Sequence, residues 1–364
     1  MDDGMPERTI DLLYEASLFP DRWPEALHAA MLHVQASAAL LIVEHKNEQQ
    51  FYCTDAIAGT LDRAHAGGWL QTSRNIRRAR FPKQRQNICF VRDLDVIGTS
   101  EIKTAPLYAK FLHQEGWGSN AGAQLILPDQ REIIISFENR LEMGPLDQAS
   151  LDRLNELAPH LERASRLSSR VGLARAASLV TTIEQLGLPA CTLAADGSVI
   201  AANNAFAGLE PCVSAGAFDR LALSDAAAQK QIYQALRDSS APGATPRPFP
   251  VKCSSPRGTI VLTVLPVTGN LRDIFTRATA LLLVTPGARN LSQASELLEK
   301  LYGLTPTEAR TACELASSMS IPEIARRHAV SVGTVRNHVK STLAKADVRR
   351  QADLIAIINN LFPF

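Results

Sequence analysis

Hydrophobic and polar positions are sorted most sharply near the C-terminus, in the stretch SVGTVRNHVKSTLAKADV from Ser331 to Val348. Wound as an α-helix at about 100° per residue, it gathers Val332, Val335, Val339, Leu343 and Ala346 into one sector roughly 80° wide. Gly333, Arg336, Asn337, Lys340 and Ala344 fall in the neighbouring sector, and Thr334, His338 and Lys345 form a third stripe. The first sector predicts a core-facing side. The second predicts a side that meets something else.

The surrounding pattern predicts more helices. LTPTEAR offers Thr305 as N-cap, Pro306 at the first helical position and Glu308 to close a capping box, so a helix is expected from there to about Ser317. MSIPEIARRHAV repeats the device with Ser320 and Glu323. A short helix should bury Ile321, Ile324 and Ala325 and end near His328, read as a polar residue at its end. Ser331 then caps the sorted helix. Only HAVS joins the two, which is helix-turn-helix spacing. In RRQADLIAIINNL, Ala352, Ile355 and Ile358 form one apolar row and Leu354, Ile357 and Leu361 another. One row can face the domain core. The other can face a second subunit or more of the same chain.

Charge sharpens the picture. The 364 residues carry a formal net charge of only +1, yet Arg326 to Arg350 holds seven Lys or Arg against the single acid Asp347. A solvated helix face normally mixes signs to gain from i,i+4 pairs; this one does not. An α-helix presenting Arg, Lys and Asn fits the major groove, where Arg and Lys read guanine and Asn reads adenine. The small residues Gly333 and Ala344 let the backbone approach closely.

These residues resemble the LuxR-type (LuxR/FixJ) helix-turn-helix of bacterial transcription regulators over about 60 residues: the opening L-T-x-x-E, the I-A of the scaffold helix, S-x-x-T-V-x-x-H-V and Lys345. The resemblance implies a four-helix all-α DNA-binding domain at 295–364. Arg336, Asn337 and Lys340 would then contact bases, and Thr334, His338 and Lys345 phosphates. It also implies double-stranded DNA as partner, a homodimer, and possible contact with RNA polymerase. Two positions depart from the family pattern, Ser318 for glycine and Ala346 for leucine, and both bear on loop geometry and stability rather than on the DNA face.

Upstream, residues 178–287 hold LGLPACTLAADGSVIAANNAFAGL. It reads as strand, Asp196-Gly197 turn, strand, and a helix started by Asn203 or Asn204. Helical SDAAAQKQIYQALRDSS follows, then a Pro/Ser/Gly-rich loop, SSAPGATPRPFPVKCSSPRG, and strands in GTIVLTVLPV and ATALLLVTPG. Two strands, a helical middle and a closing antiparallel set resemble the PAS fold, a small-molecule or signal-relay module. The segment has no His and no N-C-R-F-L-Q signature, which argues against His-ligated haem and covalent flavin. The alternative is a dimerising spacer that binds nothing.

Residues 6–145 begin with helical periodicity from Ile10 to Tyr14 and Trp23 to Val34, then a strand at Ala39 to Val43. A strand pair is expected in GAQLILPDQREIIISFEN around a Pro128-Asp129 turn. This order is similar to GAF-type or PAS-type sensors. Trp69, Tyr108, Phe111 and Trp117 are candidates for a pocket and read first as ordinary core. The run Ser73 to Arg85, with six Lys or Arg and no acid, reads first as a solvated surface. Between the two units, a helical connector at 146–187 places Leu154, Leu157, Leu161 and Ala164 in an a/d register suited to a short coiled coil. Pro159 interrupts it and the register drifts at Arg170 to Arg175, and the alternative is that the same helix packs within one chain.

The fold class expected is therefore multidomain: α+β PAS/GAF-like sensory domains followed by an all-α helix-turn-helix domain. No metal or cofactor is implied, though a small-molecule ligand in the sensory domains is compatible. Six scattered cysteines suit reduced thiols. MDDGMPERTI lacks an apolar h-region and no apolar run nears ~18 residues, so a cytoplasmic protein with no membrane association is expected. Catalytic constellations are missing: no G-x-S-x-G, P-loop, G-x-G-x-x-G or H-E-x-x-H. Ser100 to Lys103 matches S-x-x-K by chance, and an enzyme is not expected. Neither a phosphoacceptor receiver pattern nor that of acyl-homoserine-lactone receptors is found. The competing reading of the basic face is a signalling adaptor that binds protein instead of DNA.

Overall fold

The computed structural model of the chain describes residues 5–45, 48–216, 219–239, 243–253, 259–267, 273–286, 291–317 and 319–361. They fall into two compact units, Met1–Leu179 with Val267–Thr279, and Val180–Pro266 with Ala280–Phe364. The architecture is mixed α/β in the N-terminal parts and helical at the C-terminus. Among the described residues no helix is long and apolar enough to cross a membrane. Asp2, Asp3 and Ser318 lie outside the described residues, as does the side chain of Leu361.

The first unit is built on a five-stranded antiparallel sheet. In chain order its elements are α1 (Met5–Leu18), α2 (Trp23–Val34), β1 (Ala38–His45), β2 (Glu48–Cys53), α3 (Asp55–Ala66), α4 (Trp69–Arg80), β3 (Val91–Arg92), α5 (Asp93–Ile97), α6 (Thr99–Thr104), a π-helical turn at Tyr108–Leu112, β4 (Trp117–Ile126), β5 (Glu132–Arg140) and α7 (Gln148–Glu184). The sheet order is β2-β1-β5-β4-β3. Because side chains alternate along a strand, each strand serves two cores. Ala39, Leu41, Val43, Ala121, Ala123, Leu125, Ile133, Ile135 and Phe137 belong to the core shared with α1, α2 and α7. Leu40, Ile42 and Ile134 face the other way, towards Ile57 and Leu61 of α3.

Helix α7 corrects one expectation and decides between two others. It runs unbroken through Pro159, although proline removes one backbone bond. Burial holds it: Leu151, Leu154, Leu157, Ala158, Leu161 and Ala164 sit in the first unit's core. Of the two readings of this row, coiled coil or packing within one chain, the second is the one seen. The register drifts further on because a different partner covers the helix there. At Gly172 an added Cβ would lie 2.2 Å from Thr276 Cγ2, so glycine is what lets the segment from Asp273 to Thr276 close on α7. From that segment Phe275, fully buried, enters the core against Trp23, with ring centroids 5.5 Å apart.

The basic run from Ser73 to Arg85 is only in part a solvated face: Lys83 and Arg85 are exposed, but the start of the run turns inward. Arg74, Arg77 and Arg78 converge on the buried carboxylate of Glu44, at 2.8, 3.1 and 2.9 Å, and Arg80 pairs with Glu101. A lone carboxylate buried on β1 would be costly. The one-signed run supplies its partners.

The second unit carries β6 (Ala190–Ala194), β7 (Val199–Ala202), α8 (Asn204–Ala207), β8 (Val213–Ala215), β9 (Leu221–Leu223), α9 (Ala226–Asp238), β10 (Arg247–Lys252), β11 (Thr259–Pro266) and β12 (Ala278–Pro286). Its main sheet has the order β10-β11-β12-β6-β7. Numbered within each sheet, both follow the same sequence, second-first-fifth-fourth-third. Asn203 caps α8 by accepting from Phe206 N, and Asp225 caps α9 by accepting from Ala227 N and Ala228 N. Strand β10 was expected as loop because of Pro248 and Pro250. It is an edge strand, where a missing N–H costs no ladder bond, and its alternation buries Val251 against β11. The β8–β9 hairpin was likewise not anticipated. Cys212 and Cys253, expected as separate thiols, are joined in a disulfide with a Cα–Cα distance of 5.4 Å.

The C-terminal part is helical: α10 (Leu291–Tyr302), α11 (Pro306–Ala316), α12 (Ile321–Arg327), α13 (Val332–Lys345) and α14 (Gln351–Leu361). It has five helices among the described residues, not four. Leu298 of α10 is buried with Leu304, Ala309, Ala312, Cys313, Ala346, Leu354 and Ile358. Leu354 and Ile358 come one from each of the two rows expected on α14, so the core-facing line runs between them.

Removing the Phe275 ring should leave a cavity between α7 and Trp23. Phe275→Ala is expected to destabilise the first unit by about 3–5 kcal/mol, read as a lower urea midpoint of the transition reported by Trp23 fluorescence.

Candidate nucleic-acid interface

The geometry begins at α11, which both helices of the helix-turn-helix pack against. Thr305 Oγ1 accepts from Glu308 N at 3.3 Å, and Glu308 Oε2 accepts from Thr305 N at 2.7 Å, closing the capping box. The same carboxylate reaches further than a cap. Its Oε1 accepts from Ser341 Oγ at 2.6 Å and its Oε2 from Lys345 Nζ at 2.8 Å. Burial pushes the Glu308 carboxyl up, but the Lys345, Ser341 and Thr305 donors outweigh it and hold the group down at about 2.

A second glutamate on α11 fixes the scaffold helix. Buried Glu314 lies 2.8 Å from His328 Nε2, and Arg327 stands 3.6 Å away. His328, expected to be an incidental polar residue, is therefore an anchor between α12 and α11. Around these ties Leu315, Ile324, Ala325, Val335 and Val339 form the shared core, with Ile321, Val332 and Leu343 against it. At the start of α12, Glu323 accepts from both Ser320 N (2.8 Å) and Ser320 Oγ (2.6 Å). At the start of α13, Ser331 Oγ accepts from Thr334 N at 3.0 Å and lies 2.8 Å from Thr334 Oγ1.

Packed this way, α13 turns outward the sector that the wheel set apart. Gly333, Arg336, Asn337, Lys340 and Ala344 are all exposed, while Val335, Val339, Thr342 and Ala346 are buried. Among the described residues no acid pairs with Arg336 or Lys340 across this face. Thr334 and His338 flank it half-buried. Lys345 is exposed as well. Its ammonium, on an exposed side chain, is bonded to Glu308 and to Gly303 O at 3.2 Å, so Lys345 also ties α13 to α11. Thr342, which the wheel argument passed over, is buried and donates to His338 O at 2.8 Å. Such a hydroxyl satisfies itself on its own helix, and that is why a polar residue fits the core sector.

The turn between α12 and α13 is unusual in one respect. Ala329 holds φ at +51°, a left-handed conformation in which a Cβ is disfavoured. The backbone closes through Ala329 N to Arg326 O and Val330 N to Ala325 O.

Among the described residues no group of three or more His, Cys, Asp or Glu side chains is placed to hold a metal ion. No protein-family model and no curated protein matches the chain. Solved structures are similar to it at a low level. The VqsR LBD domain from Pseudomonas aeruginosa is 13% identical with a TM-score of 0.36, over 46% of this chain and 98% of that one. Escherichia coli SdiA is 12% identical with a TM-score of 0.31, over 93% and 90%. Likenesses this slight carry no assignment, and the functional reading rests on the residues of this chain.

Glu308→Gln should lower the stability of the C-terminal domain by about 1–3 kcal/mol at neutral pH. Since the folded carboxyl titrates at about 2 and the ordinary value is 4.5, its contribution is complete above the ordinary value and is lost as pH falls towards the folded one. Thermal melts of wild type and variant should therefore converge as the pH is lowered through that window. Ala329→Gly should do the opposite of harm, gaining about 0.5–1 kcal/mol by relieving the left-handed turn, measured as a raised melting temperature.

Proposed function

We propose that the chain is a sequence-specific, DNA-binding transcriptional regulator of LuxR type. It acts as a dimer in the cytoplasm, with its DNA binding controlled by two PAS/GAF-like sensory domains. The observation that carries this reading is the outward face of α13: Arg336, Asn337 and Lys340 exposed together, flanked by Thr334 and His338, with no acid paired across it. Phosphate contacts position such a helix and base contacts specify the sequence. Arg336, Asn337 and Lys340 read base edges in the major groove, and Thr334 and His338 hold the backbone with the N–H groups at the start of α13.

Half-buried Ile355 and Ile357 on α14 supply apolar surface for a second copy, and two copies would place α13 on half-sites about one DNA turn apart. The order shared by both sheets, two strands, a helical middle and a closing antiparallel set with the first strand beside the last, supports the sensory assignment. A signal changes the DNA response only to the extent that it binds the two states of the regulator with different affinity. Contact with RNA polymerase belongs to the same reading. No catalytic role is assigned.

Fluorescence anisotropy of the full chain with a labelled duplex, across a salt series, tests it. Several phosphate contacts predict a steep linear fall of log affinity with log salt. Arg336→Ala should lose about 1–3 kcal/mol of discrimination between specific and scrambled duplexes, while Lys345→Met should act by destabilising the fold and leave the sequence preference unchanged. An affinity independent of salt would favour a protein partner for this face.

A further inference from the structure

The second unit holds its edge strand loosely. Two of the six residues of β10 are prolines, Pro248 and Pro250, which an edge tolerates but which give no N–H to a neighbour. On the inward side of the strand Val251 is buried and Phe249 is half-buried against the same core. The ion pair from Arg247 to Asp238, 2.8 Å long, joins side chains that are 51% and 37% exposed, and surface pairs of this kind add little.

Sulfur pins the end of the strand. Cys253 directly follows β10 and, two residues after Val251, lies on the same inward side, half-buried against the core. Its partner Cys212, 2% exposed, stands in the turn between α8 and β8, where its N–H donates to Leu209 O and its carbonyl accepts from Ser224 N, both at 3.0 Å. The two are 41 residues apart in sequence and 5.4 Å apart at Cα, a separation that a disulfide bridges without backbone movement. Cys53, Cys89, Cys191 and Cys313 are single thiols.

A permanent staple and a redox site differ in access. Exposed disulfides are the ones that exchange reaches, and Cys253 at the end of an edge strand gives that access, whereas Cys212 does not. In a reducing compartment a cysteine pair is more often redox-sensing than structural; this point alone rests on the cytoplasmic location proposed above.

We propose that Cys212 and Cys253 form a reversible thiol–disulfide site that fastens β10 to the sheet edge when oxidised and frees it when reduced. The oxidant is a low-molecular-weight disulfide. The Cys253 thiolate attacks one of its sulfurs and expels a first small thiolate, leaving a mixed disulfide on Cys253. The Cys212 thiolate then attacks Cys253 Sγ and expels the second. Two cysteines are oxidised, the small disulfide is reduced to two thiols, and these take up the two protons that the cysteines gave. A small thiol reverses both steps.

The test uses the full chain equilibrated in glutathione buffers from reducing to oxidising. Acid quenching, thiol labelling and peptide mapping follow the Cys212–Cys253 link, and hydrogen exchange follows the peptide that spans β10. The link should form and break reversibly across the series. Exchange in β10 should be about tenfold or more faster in the reduced chain, the sign of a locally opened edge, while β12 in the middle of the sheet exchanges alike in both states. Cys253→Ser should show the fast exchange in every buffer. A link that never forms, a link that no reducing buffer breaks in the folded chain, or β10 exchange that is the same in both states overturns the proposal, and the last of these needs no variant. Neither readout involves DNA, so failure here and failure of the DNA-binding reading are seen separately.

Discussion

The Glu308 carboxylate determines where α13 points. It accepts from Thr305 N at the head of α11 and from Ser341 and Lys345 on α13, and so ties the start of one helix to the far half of another. Apolar contacts alone are non-directional, and Val335 and Val339 would tolerate some rotation of α13 about its axis. A buried carboxylate with three donors would not, because breaking one side leaves a charge unpaired at a cost of about 3–5 kcal/mol. Glu314 does for α12, through His328 and Arg327, what Glu308 does for α13. Two glutamates on α11 thus hold both members of the helix-turn-helix, and the exposed row of Gly333, Arg336, Asn337, Lys340 and Ala344 follows from that placement.

The two sheets solve a common problem in different ways. Both have the same strand order. In the first sheet one face is mainly apolar, whereas the face towards α3 and α4 carries buried polar and charged groups at Glu44, Gln124, Ser136 and Glu138. Glu44 is paired with three arginines of α4, Arg74, Arg77 and Arg78, so that end is electrostatically closed. Gln124 and Glu138 are left facing space. Buried polar groups are normally satisfied within the protein, and Gln124 Oε1 on the same face has no hydrogen-bond partner.

Local chemistry was legible in the sequence, and partnership across the fold was not. The Thr305–Glu308 box, the Ser331 cap, the Asp196-Gly197 turn and the two sides of α13 depend on residues three or four apart, and each could be read directly. Lys345 could not. Its place on the polar stripe gave no hint of the bond to Glu308, which lies 37 residues away, and no local pattern joins them. His328, the arginines around Glu44 and the Cys212–Cys253 pair escaped for the same reason. Pro159 and the prolines of β10 misled in the other direction. Proline's local penalty is real, yet packing carries α7 through one, and an edge position makes the others harmless. Helix α10 carried a signal that was passed over, since Leu297, Leu298 and Leu301 in LSQASELLEKLY have helical spacing.

The most direct measurement is selection of fragmented genomic DNA by the purified full chain, with Arg336→Ala in parallel. Enrichment of one shared, roughly palindromic motif by the wild type, lost or relaxed in the variant, is the expected result. Recovery of no common motif, or of the same motif with equal strength by both proteins, would contradict base recognition by the exposed face of α13.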